Sequence, residues 1–136
     1  MKYKEVKEHY ESGQLYCHYS VDESGSKHGE YRSYHWNEKV WRNCLYLNGR
    51  TYGEMKRINS DGDIDIHRLL DGKGNVLATV VNQGEPVTHS EEQLIEIAKE
   101  HNLPLLSEIP KTEAEVTLWN LKYPDLPRVV AEFQDN

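Results

Sequence analysis

Tyr10, Tyr34 and Ile58 stand 24 residues apart, and each opens a short segment with a turn-like centre. The segments run from Tyr10 to Leu15, Tyr34 to Val40 and Ile58 to Ile64. Between them, His28-Gly29-Glu30 recurs 24 positions later as Tyr52-Gly53-Glu54, and Ser24-Gly25-Ser26 as Asn48-Gly49-Arg50, followed by Asp71-Gly72-Lys73. A repeat of this length is one supersecondary unit, and such a unit buries its apolar face only by stacking on its neighbours.

The unit is a β-hairpin. Tight hairpin turns need positive φ, and glycine recurs at the turn-like positions. Between turns, Glu30 to Trp36 and Lys39 to Leu47 interleave aromatic or aliphatic residues with charged ones, which suits strands of a sheet open to solvent on at least one side.

Residues 10–74, about half of the chain, resemble MORN repeats in the variant form found in some bacterial antitoxin-like proteins. The resemblance is carried by Lys27-His28-Gly29-Glu30, Asn48-Gly49-Arg50, Tyr52-Gly53-Glu54 and Asp61-Gly62, with Asn37-Glu38 standing where the pattern has Asn-Gly. It implies one antiparallel sheet of repeated hairpins that serves as a binding scaffold.

After Pro86 the pattern changes. Ser90-Glu-Glu-Gln93 has capping-box spacing, and Leu94, Ile95, Ile97, Ala98 and His101 follow on a helical stripe that Asn102-Leu103-Pro104 stops. Thr112-Glu-Ala-Glu115 repeats the start signal, with Ala114, Leu118 and Leu121 on one stripe and Val116, Trp119 and Tyr123 beside it until Pro124. Residues 128–133 read equally as a strand or as a docked tail. The expected fold class is α+β: a single domain over 1–136, with a hairpin sheet over 1–86 and an acidic helical cap and tail over 87–136. The two helices are expected to cap a sheet edge.

Nine Tyr and three Trp among 136 residues supply the apolar surface of a folded chain although 29% of residues are charged. The net charge of −7 is uneven: residues 1–86 carry 12 Lys or Arg against 13 Asp or Glu, and residues 87–136 carry 4 against 10. No uniformly basic face argues for direct nucleic-acid or membrane binding. Two cysteines, a charged amino terminus and the lack of any long apolar run read as a cytoplasmic chain.

No catalytic constellation, cofactor motif or metal signature emerges. Asp61, Asp63, Asp65 and His67 alternate as on one solvated strand face, but the calcium-loop pattern would need Gly where Ile66 stands. His28 reads as a turn residue, and the seven histidines show no zinc spacing. Cys17 and His18 are adjacent on a strand and so point to opposite faces, which leaves half-buried, inert thiols at Cys17 and Cys44. The aromatics suggest a binding face instead. Tyr34, Trp36, Trp41 and Tyr46 are the expected partner-binding residues, of which at most three share a face unless a bulge intervenes. Glu91, Glu92, Glu96, Glu100, Glu113 and Glu115 form an expected acidic surface.

The first function is therefore a non-catalytic, protein-binding inhibitor or antitoxin-like protein whose partner is basic or itself binds nucleic acid. Two alternatives remain: an acidic nucleic-acid mimic, and a small hydrolase whose His and carboxylate groups only the fold brings together.

Overall fold

A computed structural model describes residues 3–84 and 86–126. The stretch 128–133, for which the sequence leaves a strand or a docked tail open, lies outside them. Seven strands form one antiparallel sheet in strict chain order: β1 (Lys4–His9), β2 (Leu15–Val21), β3 (Gly29–Tyr34), β4 (Val40–Leu47), β5 (Arg50–Ile58), β6 (Ile64–Asp71) and β7 (Val76–Asn82). Two helices follow, α1 (Glu91–Glu100) and α2 (Glu113–Lys122), separated by a 3-10 turn at Leu106–Glu108. The expected α+β class, a hairpin sheet followed by two carboxyl-terminal helices, is the observed one.

The turns begin at Tyr10, Asp22, His35, Leu47, Asn59 and Asp71, at intervals of 12 or 13 residues, so the 24-residue repeat is a pair of strands with two turns. Five of them share one backbone device: the first residue donates its N–H to the carbonyl four positions on, at 2.8–3.2 Å. In three, an Asp or Asn at the first position also accepts from the N–H groups two and four residues later, as Asp22 does from Ser24 and Ser26, Asn59 from Asp61 and Asp63, and Asp71 from Lys73 and Asn75. Asn48 and Gly49, at φ 52° and 84°, close the remaining hairpin in two residues.

Each odd-numbered junction carries a bulge. Ser33 pairs with Arg42 and Tyr34 with Val40, leaving Trp41 as the extra residue; Tyr16 and Asp65 are its counterparts on β2 and β6. The last of these breaks the alternation expected of Asp61, Asp63, Asp65 and His67. Asp61 and Asp63 lie exposed in the loop, Asp65 pairs with Arg57 at 2.9 Å, and His67 is 2% exposed. The four do not share a solvated strand face.

The helices pack on one face of the sheet rather than along its edge. Leu94 and Ala98 of α1 meet Leu69 and Ala78, while Trp119 of α2 and Tyr123 at its C-cap meet Leu45, Ile109 and Leu126. Both expected caps form: Ser90 and Gln93 exchange hydrogen bonds, and the Glu115 N–H donates to the Thr112 hydroxyl. In α2 the stripe is Val116, Trp119 and Tyr123; Ala114, Leu118 and Leu121 are exposed. The aromatic stripe wins because it buries more area and because Trp119 Nε1–H finds the Leu126 carbonyl at 2.6 Å. In α1, His101 is exposed as the C-cap rather than packed. At the β7 edge, the Thr79 N–H donates to the Thr88 hydroxyl and the Thr88 N–H to the Thr79 carbonyl, each at 2.9 Å. The opposite edge, β1, is guarded by the charges of Lys4, Glu5, Lys7 and Glu8.

Glu38 occupies the position that glycine fills in the other loops of its kind, at φ 70°. A side chain in the left-handed region costs about 1–2 kcal/mol, partly offset for glycine by its greater freedom when unfolded. Glu38→Gly is expected to stabilise the chain by about 0.5–1 kcal/mol and to raise its melting temperature by about 2–4 °C. Thermal denaturation followed by circular dichroism checks this; a lowered midpoint would mean that the Glu38 side chain itself supports the loop.

Candidate functional site

The four expected partner-binding residues fall in two places. The β3–β4 loop holds Trp36 at 70% exposure. Its base is fixed by the His35 N–H donating to the Lys39 carbonyl, the Glu38 N–H to the His35 carbonyl, and the Lys39 N–H to the Asn37 side chain. Behind the tip, the His35 ring stacks on half-buried Trp41 at 5.1 Å and donates from Nε2 to the Ile58 carbonyl at 2.7 Å. Trp41 leans on Tyr16, Tyr16 on Tyr10, and the Tyr10 hydroxyl donates to the Tyr34 carbonyl at 2.7 Å. Tyr34 and Trp41 thus belong to a buttress, and Trp36 projects from it.

Tyr46 belongs to a second cluster. It packs edge-on against Tyr31 at 5.8 Å, and Tyr31 packs on Tyr19 at 5.5 Å. Among the described residues no ring contact joins this cluster to Trp41. The bulge at Trp41 supplies the change of parity that sequence reasoning allowed for.

All six residues of the expected acidic surface are exposed. Glu92, Glu96 and Glu100 follow one another at helical spacing on α1, with Glu91 and Glu92 in its first turn and Glu113 and Glu115 in that of α2. Those first-turn carboxylates lie where the helix dipole favours them.

The thiols are buried and are held protonated at neutral pH. Burial, with a hydrogen bond from Cys17 Sγ–H to Glu8 Oε2 at 2.9 Å, pushes Cys17 up to about 11, and burial pushes Cys44 up to about 12. His18 turns the other way, to Glu5 at 2.5 Å, so it and Cys17 make no nucleophile–base pair. His28 is not a plain turn residue: it is 6% exposed and stacked on Tyr3 at 4.9 Å, and burial lowers its pKa against the pull of Asp22.

The titratable group that sequence reasoning missed is Glu54. Its Oε2 accepts from His67 Nε2 at 2.6 Å, and its Oε1 accepts from the Leu106 N–H at 2.8 Å. Its own N–H donates to the Pro104 carbonyl at 2.9 Å. Gly53 beside it has φ 83°, and a Cβ there would stand 2.5 Å from that same carbonyl. Glu54 lies in the repeated Tyr52-Gly53-Glu54 motif, but its partner in the helical half lies 52 residues on, beyond any local signal. Both carboxylate oxygens are engaged and the pair is sealed from solvent, so the arrangement clamps the chain and presents no open position for a substrate. A second carboxylate, Glu108, accepts from the Leu105 N–H and the Tyr123 hydroxyl, each at 2.9 Å, and pairs with Lys122 beside a cleft of about 490 Å³. Between β3–β4 and residues 106–111 lies another cleft of about 540 Å³, floored by the Glu30–Arg32 ion pair and Asn43. Among the described residues no group of three His, Cys, Asp or Glu side chains is placed to hold a metal ion, and no helix is long and apolar enough to cross a membrane.

Burial pushes the Glu54 carboxyl up, but hydrogen bonds from His67 and Leu106 and the nearby Lys56 charge more than reverse this, and it ends below its ordinary 4.5. A carboxyl lowered by folding contributes stability that is present above 4.5 and is lost as pH falls through the lower folded value. Glu54→Gln is therefore expected to lose about 2 kcal/mol at pH 7 and to show a shallower acid limb than the parent chain in urea titrations between pH 7 and 3. Parallel acid limbs would show that Glu54 is not the linked group.

Comparison of the chain with protein-family models, with curated proteins and with solved structures finds no match.

Proposed function

We propose that this chain is a non-catalytic protein-binding module of the MORN-like, antitoxin or inhibitor kind, docking through the aromatic tip of the β3–β4 hairpin. The observation that carries this reading is Trp36, an indole at 70% exposure on a loop whose backbone and aromatic base are already fixed. A large ring presented on a preorganised loop loses little freedom on binding, which is the usual character of an interface anchor. Trp41 and Tyr34 support the loop, and Tyr46 stands apart from the tip.

The exposed carboxylates of α1 give the partner a sign. Glu92, Glu96 and Glu100 form a negative row in the most acidic part of the chain, which favours a basic partner and raises its encounter rate at low salt. The same row favours a second reading, in which the acidic helices imitate nucleic acid on a DNA- or RNA-binding protein.

The test uses the full chain and its Trp36→Ala, Trp41→Ala and Glu92→Gln/Glu96→Gln/Glu100→Gln variants as baits in the native lysate, followed by titration of whatever protein the parent captures. Trp36→Ala is expected to keep its melting temperature and to weaken binding about thirtyfold. Trp41→Ala is expected to lose about 3 kcal/mol of stability. In the triple Gln variant the association rate and its salt dependence fall, with little change in dissociation. Retained affinity in Trp36→Ala overturns the tip as the docking site, and collapse of affinity in the triple variant alone moves the assignment to the mimic.

A further inference from the structure

Lys27, at the end of the β2–β3 loop, places its ammonium 5.2 Å from the ring centre of Tyr19, 5.3 Å from that of Tyr31 and 5.4 Å from that of Tyr46. The three rings come from β2, β3 and β4 and touch in sequence, so they form one continuous aromatic wall against the Lys27 ammonium, with the Arg42 guanidinium near the Tyr31 and Tyr46 hydroxyls. All three distances are within cation–π range. Among the described residues no carboxylate pairs with Lys27, and no hydrogen-bond acceptor is in contact with its Nζ.

That environment suits a different cation better than the one it holds. A primary ammonium is compact, strongly hydrated and carries three N–H donors, none of which the rings satisfy as a true acceptor would. A methylated ammonium keeps the charge, has lost donors and is larger, which is what a wall of π faces without acceptors accommodates.

Lys27 is held outside the rings through its backbone alone. Its backbone is pinned, by the bridge to Val21 and by its carbonyl accepting from the Gly49 N–H at 2.9 Å. Neither bond involves the side chain, so the loop and the β4–β5 turn are held whichever way the stem points.

We propose that Tyr19, Tyr31 and Tyr46 form a methylammonium cage which Lys27 occupies as an internal plug, and that its ligand is a methylated lysine side chain of a polypeptide. Lys27 itself shows that a lysyl stem reaches the cage. The proposal goes beyond the reading of Trp36 and uses different rings, so either can fail alone.

The experiment follows tyrosine ring resonances by NMR in the full chain and in Lys27→Met, which removes the charge while keeping an apolar stem; Lys27→Ala serves if Lys27→Met is unfolded. Tetramethylammonium chloride, with sodium chloride as the control, is expected to give saturable shifts at the cage tyrosines. The variant should bind about tenfold more tightly than the parent, and Tyr31→Leu in the variant background should abolish the shifts. A trimethyl-lysine peptide should bind the variant at least about tenfold better than its unmethylated counterpart, and Trp36→Ala should leave this titration unchanged. Absence of saturable shifts in both folded chains, or equal affinity of parent and variant, overturns the cage and its plug. Preference for phosphatidylcholine vesicles over the methylated peptide overturns the polypeptide ligand.

Discussion

Burying a carboxylate is costly unless its lone pairs find donors, and Glu54 meets that condition with one donor from each half of the chain. His67 belongs to the sheet, and the Leu106 N–H belongs to the segment that links α1 to α2. The backbone of Glu54 adds a third bond, to Pro104, across a contact so close that Gly53 leaves no room for a side chain. The two hydrophobic clusters lie around this point, sharing Tyr52: one gathers Leu45, Ile109, Trp119, Tyr123 and Leu126, the other Leu69, Ala78, Leu94, Ala98 and Leu103. Apolar burial supplies the driving force for docking the helices, and Glu54 fixes where they dock.

Much of this architecture is local and was legible for that reason. Each hairpin is specified by an Asx or Gly device within five residues, and each helix by a capping pair three residues apart, so residue order alone shows them. What was not legible depends on contacts distant in sequence. Trp119 and Tyr123 displace Leu118 and Leu121 as the buried stripe of α2 because Leu45 and Leu126 wait to receive them. Trp41 shifts parity because a bulge enters β4, and a single bulged residue leaves no mark in composition. His67 looked like a member of a solvated acidic row, and only the docking of the helical half turns it into a sealed donor.

The aromatic residues divide by their place in the repeat. Those near the odd-numbered turns, Tyr10, Tyr16, His35 and Trp41, brace one end of the sheet and hold Trp36 clear of it. Those further along the strands, Tyr19, Tyr31 and Tyr46, line up across three neighbouring strands and enclose a charge. One repeated hairpin thus yields two surfaces of different chemistry, a projecting apolar anchor and an aromatic row against a lysine ammonium, from the same residue types at different heights on the strand.

Strand order that never departs from chain order has a consequence for how such a chain can change over generations. Every strand pairs only with the strands before and after it in sequence, so loss or duplication of one two-strand unit joins a strand to an equivalent one. Equivalent turns lie 25 and then 24 residues apart, and each unit brings its own turns and its own bulge. The width of the sheet is therefore free to vary in whole units on the side of β1, while the side from β4 to β7 is committed to the helices that rest on it.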